Sequence, residues 1–227
     1  MPLLEREREL SKLMQSARYG KPALVCGPPG IGKTQLLLEL RRSLIAEGMP
    51  VIYVPFVQPL HAFLASVAAR LSLRGRSDSS VALRGMLWTS LEANPKMILL
   101  DGIAEPSLPF YRFFERLLYV PGMALIGSAA QPYATGALHR IFWNQQTILS
   151  LRPLSREASA ALAGKAIGTF APDLADSAFQ EQVIQVARGN PGRIVEMCRR
   201  AADPAYRDGD RIRFAALSID SFTRLVS

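Results

Sequence analysis

Cysteine and histidine are scarce in this chain. Its 227 residues include two cysteines, Cys26 and Cys198, and two histidines, His61 and His139. The cysteines lack metal-ligand spacing and form no disulfide framework, which favours a reducing, cytoplasmic compartment. Each histidine stands alone, without an acid partner or a metal-binding spacing, so histidine catalysis is not indicated.

Long hydrophobic runs and acidic residues are also in short supply. No apolar stretch approaches the roughly 20 residues of a membrane span, and the opening MPLLEREREL is too charged for a secretory signal. The 19 acidic residues are outnumbered by 27 lysines and arginines, which gives a net charge of +8. This excess favours a polyanionic partner such as nucleic acid, although a nucleotide is an anion too. The hydrophobic fraction of 49% predicts a folded core, in one domain or in a core with a small helical appendage.

One segment predicts phosphate-binding chemistry. Residues 27–34, GPPGIGKT, match the pattern G-x-x-x-x-G-K-[ST] at every fixed position. The glycines let such a loop curl around a phosphate chain, while Lys33 reaches the β- and γ-phosphates and the Thr34 hydroxyl joins a Mg²⁺ shell. The apolar run Ala23–Cys26 precedes the loop and the helix-forming run Thr34–Ile45 follows it, as the motif requires. The predicted nucleotide-binding residues are Gly27, Pro28, Pro29, Gly30, Ile31, Gly32, Lys33, Thr34 and Gln35.

Apolar runs of strand length alternate with helical patterns along the first two thirds of the chain. The predicted strands are Ala23–Cys26, Val51–Val54, Met97–Asp101, Met123–Gly127 and Ile148–Leu151. This alternation predicts an α/β fold in which residues 1–151 form a parallel five-stranded sheet covered by helices on both faces. After Arg152 only helical patterns remain, over 155–166, 176–188, 192–202 and 214–226. Residues 152–227 are therefore predicted to form an all-helical lid.

A buried strand that ends in an acid gives a second clue. Asp101 closes the apolar run Met97–Leu100, and in phosphate-loop proteins a carboxylate in this place holds Mg²⁺. The carboxyl ends of parallel strands are also where such sheets bind their ligands. Asp101 and Thr34 are therefore the predicted Mg²⁺ site, with Asp101 acting through water. The alternative is a plain turn, because Asp101-Gly102 is also a turn signal.

The order of these motifs resembles the AAA+ superfamily of P-loop ATPases. The likeness is strongest to the branch that includes origin-recognition ATPases, ExeA-like proteins and TniB/TnsC-like transposition ATPases, with the STAND ATPases as near neighbours. It covers nearly the whole chain. Residues 5–10, EREREL, are similar to the first helix of these families, and residues 151–155, LRPLS, are similar to the junction that leads into their lid.

The resemblance assigns roles to three more residues. Ser128, after the fourth predicted strand, is implied to contact the γ-phosphate or the attacking water. Arg140 is implied to be an arginine finger that acts on a neighbouring subunit. Arg193, in the turn GNPGR, is implied to be a nucleotide sensor. For both arginines the alternative is a solvated surface charge.

One position departs from the family. Active members carry Glu directly after the Asp of the third strand, where it polarises the attacking water, whereas this chain has Gly102. Glu105 is the candidate substitute, although it also fits a plain loop carboxylate before Pro106. We therefore expect ATP and Mg²⁺ to bind and hydrolysis to be slow. The predicted catalytic residues are Lys33, Asp101, Glu105, Ser128, Arg140 and Arg193.

The resemblance implies a homo-oligomeric regulator that assembles on double-stranded DNA in the presence of ATP. Transposition or another DNA transaction is the expected process, with a transposase or another protein as a further partner and no membrane partner. Arginines in and around a Gly/Ser loop could follow a phosphate backbone; they are Arg70, Arg74, Arg76 and Arg84. The alternative is a STAND-like signalling switch that acts on protein partners without DNA. A small-molecule kinase is disfavoured, because it leaves the helical tail unexplained.

Overall fold

A computed structural model describes residues 5–73, 79–143, 147–174, 177–208 and 211–223. The chain divides into two compact units. The described residues of the first unit fall within 1–5, 28–32 and 151–227, and those of the second fall within 6–27 and 33–150. Within these described parts, no helix is both long and apolar enough to cross a membrane.

The second unit contains a five-stranded parallel sheet. Its strands are β1 (Ala23–Cys26), β2 (Val51–Pro55), β3 (Met97–Ile103), β4 (Ala124–Ala129) and β5 (Ile148–Ser150). They lie in the order β2-β3-β4-β1-β5, and every neighbouring pair is parallel. All residues of β1 and β4 are buried, as expected for central strands of a sheet that is covered on both faces. The carboxyl ends of β3, β4 and β1 therefore meet at one edge of the sheet.

The helices described in this unit are α1 (Glu7–Arg18), α2 (Lys33–Ala46), α3 (Leu60–Arg70), α4 (Ser80–Ala93) and α5 (Leu108–Leu117). Aromatic rings of α3 and α5 meet in the core, where the Phe63 ring lies 5.5 Å from that of Phe110 and 5.6 Å from that of Phe114. All three rings are fully buried. A 3₁₀ segment, Pro132–Arg140, follows β4. The unit therefore has an apolar core of its own.

The first unit is mainly helical. Its helices are α6 (Arg156–Phe170), α7 (Ser177–Ala187), α8 (Pro191–Arg200) and α9 (Phe214–Thr223). The Ser155 hydroxyl caps α6 by accepting a hydrogen bond from the Ala158 N–H at 3.1 Å, which offsets one of the unpaired donors at a helix start. A separate apolar core extends from Leu154 to Leu217. Two short antiparallel strands, β6 (Arg207–Asp208) and β7 (Arg211–Ile212), add a small ribbon.

The predicted fold class is confirmed. The structure differs from the prediction in a short additional ribbon and in the ends of two strands. The ribbon was missed because strands of two residues carry too little periodicity to be detected. Strand β3 continues past Asp101 to Ile103, and β4 includes Ser128 and ends at Ala129. Two of the four arginines predicted for DNA contact, Arg74 and Arg76, lie outside the described residues.

Candidate nucleotide-binding site

The phosphate loop connects β1 to α2. Its glycines Gly30 and Gly32 have φ values of +78° and +104°, which only glycine adopts readily. Helix α2 begins at Lys33, so its first N–H groups and positive dipole end lie directly after the loop. The Lys33 ammonium donates a hydrogen bond to the Gly27 carbonyl at 2.6 Å. Desolvation lowers the pKa of Lys33, and the nearby Asp101 charge opposes this shift.

The Asp101 carboxylate is held by hydroxyl groups from three other elements. Thr34 at the start of α2 donates to Oδ2 at 2.8 Å, and Tyr53 of β2 donates to the same oxygen at 2.6 Å. Ser128 of β4 donates to Oδ1. The Ser128 oxygen in turn accepts the Gly102 N–H at 2.9 Å. The carboxylate is therefore fixed in position, with about three of its roughly four lone-pair sites occupied.

Sheet register explains why these residues meet. Asp101 pairs with Pro55 across β2 and β3, two positions beyond Tyr53, and Ser128 pairs with Val25 across β4 and β1. All of these positions lie near the carboxyl ends of parallel strands, where α/β sheets place their ligands. Burial, followed by the hydrogen bond to Asp101, raises the pKa of Tyr53. The phenol is therefore protonated at neutral pH and acts as a donor.

This donor set fits Mg²⁺. Hydroxyl and carboxylate oxygens are the hard ligands that the ion prefers. Because the Thr34 hydroxyl gives its hydrogen to Asp101, its lone pairs remain free to ligate a cation while the hydrogen bond is kept. Asp101 retains a lone pair that can accept a hydrogen bond from metal-bound water. Cys26, at the end of β1, is buried, and burial raises the pKa of its thiol to about 11. It packs as a neutral side chain.

Within the first unit, the tip of the phosphate loop is bonded to the start of α8. The Asn190 side-chain N–H donates to the Pro29 carbonyl at 2.9 Å, and the Gly192 N–H donates to the Gly30 carbonyl at 2.9 Å. Asn190 also caps α8, since its Oδ1 accepts the Arg193 N–H at 3.2 Å. Asn190 is buried and uses both ends of its amide.

These bonds orient the loop backbone. A trans peptide is planar and its N–H points opposite to its C=O. The bond from Asn190 to the Pro29 carbonyl therefore sets the direction of the Gly30 N–H. The approach is so close that a Cβ on Gly192 would lie 2.7 Å from the Gly30 Cα. Glycine is thus required at this position by packing.

The structure places the other predicted residues as follows. Glu105 is exposed, with φ of +43°, and its N–H donates to the Ala134 carbonyl at 2.8 Å. Arg140 is exposed at the end of the 3₁₀ segment, with its guanidinium carbon 5.6 Å from the centre of the Tyr111 ring. Arg193 is half-buried in the first turn of α8. Gln35 is half-buried in the first turn of α2.

Neither Tyr53 nor Asn190 was predicted from the sequence to be a site residue. Asn190 carried a usable signal, because Asn followed by Pro is a helix start with a side-chain cap. Tyr53 carried none, since its contact with Asp101 depends on β2 being the neighbour of β3.

Arg70, one of the four arginines predicted for DNA contact, and three arginines near the carboxyl end of the chain bind within the protein. Arg70 donates to the Tyr53 carbonyl at 2.9 Å. Arg199 and Arg200 both form ion pairs with Glu196, at 2.9 and 2.6 Å. Arg207 forms an ion pair with Asp173. These contacts leave fewer cations for a phosphate backbone than the sequence count suggests.

This chain is similar in fold to several solved structures, although its sequence identity to them is low. No protein-family model and no curated protein sequence matches this chain. A Walker-type ATPase of Pyrococcus abyssi has a TM-score of 0.69 at 13% identity, over 99% of this chain and 73% of that one. The FIGL-1 AAA domain in complex with ADP has a TM-score of 0.59 at 15% identity, over 99% of this chain and 82% of that one.

A third similar structure is a STAND protein with a tetratricopeptide repeat sensor from Pyrococcus horikoshii. Its TM-score is 0.56 at 16% identity, over 98% of this chain. This chain spans 32% of the length of that protein. Together with the strand order β2-β3-β4-β1-β5 and the phosphate loop after β1, these likenesses show that the chain has the fold of AAA+ P-loop ATPases.

Proposed function

We propose that this protein binds ATP with Mg²⁺ and hydrolyses it slowly. The observation that carries the proposal is the convergence of Thr34 and Ser128 on the Asp101 carboxylate beside the phosphate loop. In this proposal the ammonium of Lys33 leaves the Gly27 carbonyl and binds the β- and γ-phosphates. Exchange of the Gly27 carbonyl for a phosphate is favourable for the Lys33 ammonium, because a partly desolvated cation forms a stronger hydrogen bond with a charged phosphate than with a neutral carbonyl.

The metal site follows from the same contacts. Thr34 would ligate Mg²⁺ directly, and Asp101 would hold it through water. When bound, the ion supplies positive charge to the phosphate oxygens. The N–H groups of the loop bind the phosphate chain, with the Gly30 N–H held in direction by Asn190.

Slow hydrolysis is proposed because no carboxylate follows Asp101. Gly102 stands there, with φ of +76°, a backbone conformation that disfavours Glu. Glu105 is exposed and is the proposed, less effective substitute for orienting water. Ser128 is fully buried and bonded to Asp101, a position from which it would respond to the γ-phosphate.

We further propose that ATP drives assembly of several copies on double-stranded DNA. Exposure of Arg140 supports a finger that acts on a neighbouring subunit, and Arg193 in the first turn of α8 supports a sensor role. The net charge of +8 favours a DNA partner. The likeness to the P. horikoshii STAND protein favours the second candidate, an ATP-gated switch that acts on protein partners.

The first test is binding of a fluorescent ATP analogue with Mg²⁺. We expect the wild-type protein to bind and Lys33→Ala to lose binding while its circular dichroism spectrum stays unchanged. Equal affinity in the two proteins would refute the phosphate-loop assignment. Arg42→Ala is a suitable control, because Arg42 lies on α2 and forms an exposed ion pair with Glu39 at 2.7 Å.

Light scattering then separates the two candidate outputs. The size of the particle is measured with and without ATP–Mg²⁺ and with and without duplex DNA. Growth that requires both ligands and falls steeply with salt supports assembly on DNA. A monomer under every condition refutes both the finger in trans and the DNA assembly, and leaves the protein-partner switch.

A further inference from the structure

Tyr53 contributes a contact to the Asp101 carboxylate that the phosphate-loop motifs do not account for. Its hydroxyl donates to Oδ2 at 2.6 Å, closer than the 2.8 Å donation from Thr34 to the same oxygen. The two donors come from different elements, β2 and α2. Oδ2 is therefore held from two sides, whereas Oδ1 accepts from Ser128.

The backbone of Tyr53 is itself fixed. Its strand pairs with β3, where Tyr53 is in register with Leu99 and Pro55 with Asp101. Its carbonyl accepts a hydrogen bond from the Arg70 side chain of α3 at 2.9 Å. Strand pairing and the Arg70 bond thus fix the position of the Tyr53 Cα, from which the side chain reaches the Asp101 carboxylate through its hydroxyl.

We infer that Tyr53 is a positioning residue for the proposed Mg²⁺ site. Its hydroxyl holds the Asp101 carboxylate in place while the Thr34 hydroxyl ligates the metal. This inference rests on the proposed ATP–Mg²⁺ binding. When Thr34 ligates a cation, its hydroxyl must satisfy the metal and Asp101 together. Without Tyr53, Oδ2 would depend on that shared hydroxyl alone, and the carboxylate would be held less firmly against rotation about its Cβ–Cγ bond, with Ser128 still bonded to Oδ1. Tyr53 acts through Asp101 and touches neither metal nor nucleotide in this role.

The test compares nucleotide affinity with and without the metal. The dissociation constant of a fluorescent ATP analogue is measured in excess Mg²⁺ and again in EDTA. The dissociation constant in EDTA divided by that in Mg²⁺ gives the contribution of the metal to affinity. In Tyr53→Phe the ring remains and only the donor is lost. We expect this ratio to shrink by about three- to tenfold. The change is smaller than expected for the loss of a whole hydrogen bond to a charged group, because Thr34 and Ser128 still hold Asp101. The affinity in EDTA should stay at the wild-type value.

A matched control exists on α5. The Tyr111 hydroxyl donates to the Glu115 carboxylate at 2.5 Å, so Tyr111→Phe removes the same type of bond away from Asp101. We expect this variant to keep the wild-type ratio. Tyr53→Ile, which also lacks the donor and suits a strand, replaces Tyr53→Phe if the latter does not fold.

Each outcome decides the question. A reduced metal contribution in Tyr53→Phe but not in Tyr111→Phe supports the inference. An unchanged ratio in a folded Tyr53→Phe overturns it, and so does an equal loss of affinity in Mg²⁺ and in EDTA, which indicates a general structural role. If the wild-type protein binds no nucleotide under either condition, the proposed function fails as well, and the two failures are thereby distinguished.

Discussion

Replacement of Gly192 by alanine tests whether α8 supports the phosphate loop. The added Cβ would lie 2.7 Å from the Gly30 Cα and 2.9 Å from the Gly30 carbonyl oxygen. Ordinary contacts of a Cβ begin at 3.4 Å, so the two segments must separate by several tenths of an ångström. Both obstructing atoms belong to the backbone, which means that no side chain can rotate away. The hydrogen bond from Gly192 to Gly30 would be strained or lost.

The magnitude follows from this overlap. Overpacking of this kind costs about 1–3 kcal/mol. If ATP binds only when the loop tip is held as observed, the same cost appears as a loss of affinity of about 5- to 150-fold. The assays are urea unfolding, for the free energy of unfolding, and titration with a fluorescent ATP analogue in Mg²⁺.

Gly168→Ala is the matched control. Gly168 lies in α6, and a Cβ there would meet no atom within 4 Å. Since alanine suits a helix interior better than glycine, this variant should be unchanged or more stable by about 0.5–1 kcal/mol. Equal unfolding free energies and equal ATP affinities in the two variants would refute the argument that α8 supports the loop. A loss of stability without a loss of affinity would show that the contact stabilises the protein but does not shape the loop for ATP.

Two further predictions concern hydrolysis. Gly102→Glu places a carboxylate directly after Asp101, as the AAA+ resemblance leads us to expect for an active ATPase. It should not raise the ATPase rate, because Gly102 has φ of +76°, and we expect a destabilisation of about 1–2 kcal/mol. A faster steady-state rate would contradict this prediction. Arg140→Ala should lower the ATPase rate of the assembled protein. Mixing it with Lys33→Ala should restore part of that rate, because each variant supplies what the other lacks, and no recovery on mixing would argue against a finger in trans.

Much of the fold was predictable from local sequence. The apolar runs of β1 to β5 are short, continuous and separated by helical patterns. This pattern is typical of a parallel sheet that is buried on both faces. The loop from Gly27 to Thr34 and the acid at the end of β3 could be recognised because their spacing is fixed by chemistry. Their contact, 2.8 Å between the Thr34 and Asp101 oxygens, follows once both strands are placed in one sheet. The short ribbon of β6 and β7 carried no comparable signal.

The sequence by itself determined which residues stand at the ends of strands and at the starts of helices, because hydrophobic periodicity and turn chemistry are local properties. Only the tertiary structure decided which of those ends are neighbours. Tyr53 reaches Asp101 because β2 pairs with β3, and Asn190 reaches Pro29 across a separation of 161 residues. Arg140 lies beside Tyr111 for the same kind of reason. Contacts between segments far apart in the chain depend on strand order, register and the packing of helices. These three features are determined by the free energy of the whole fold rather than by that of any one segment.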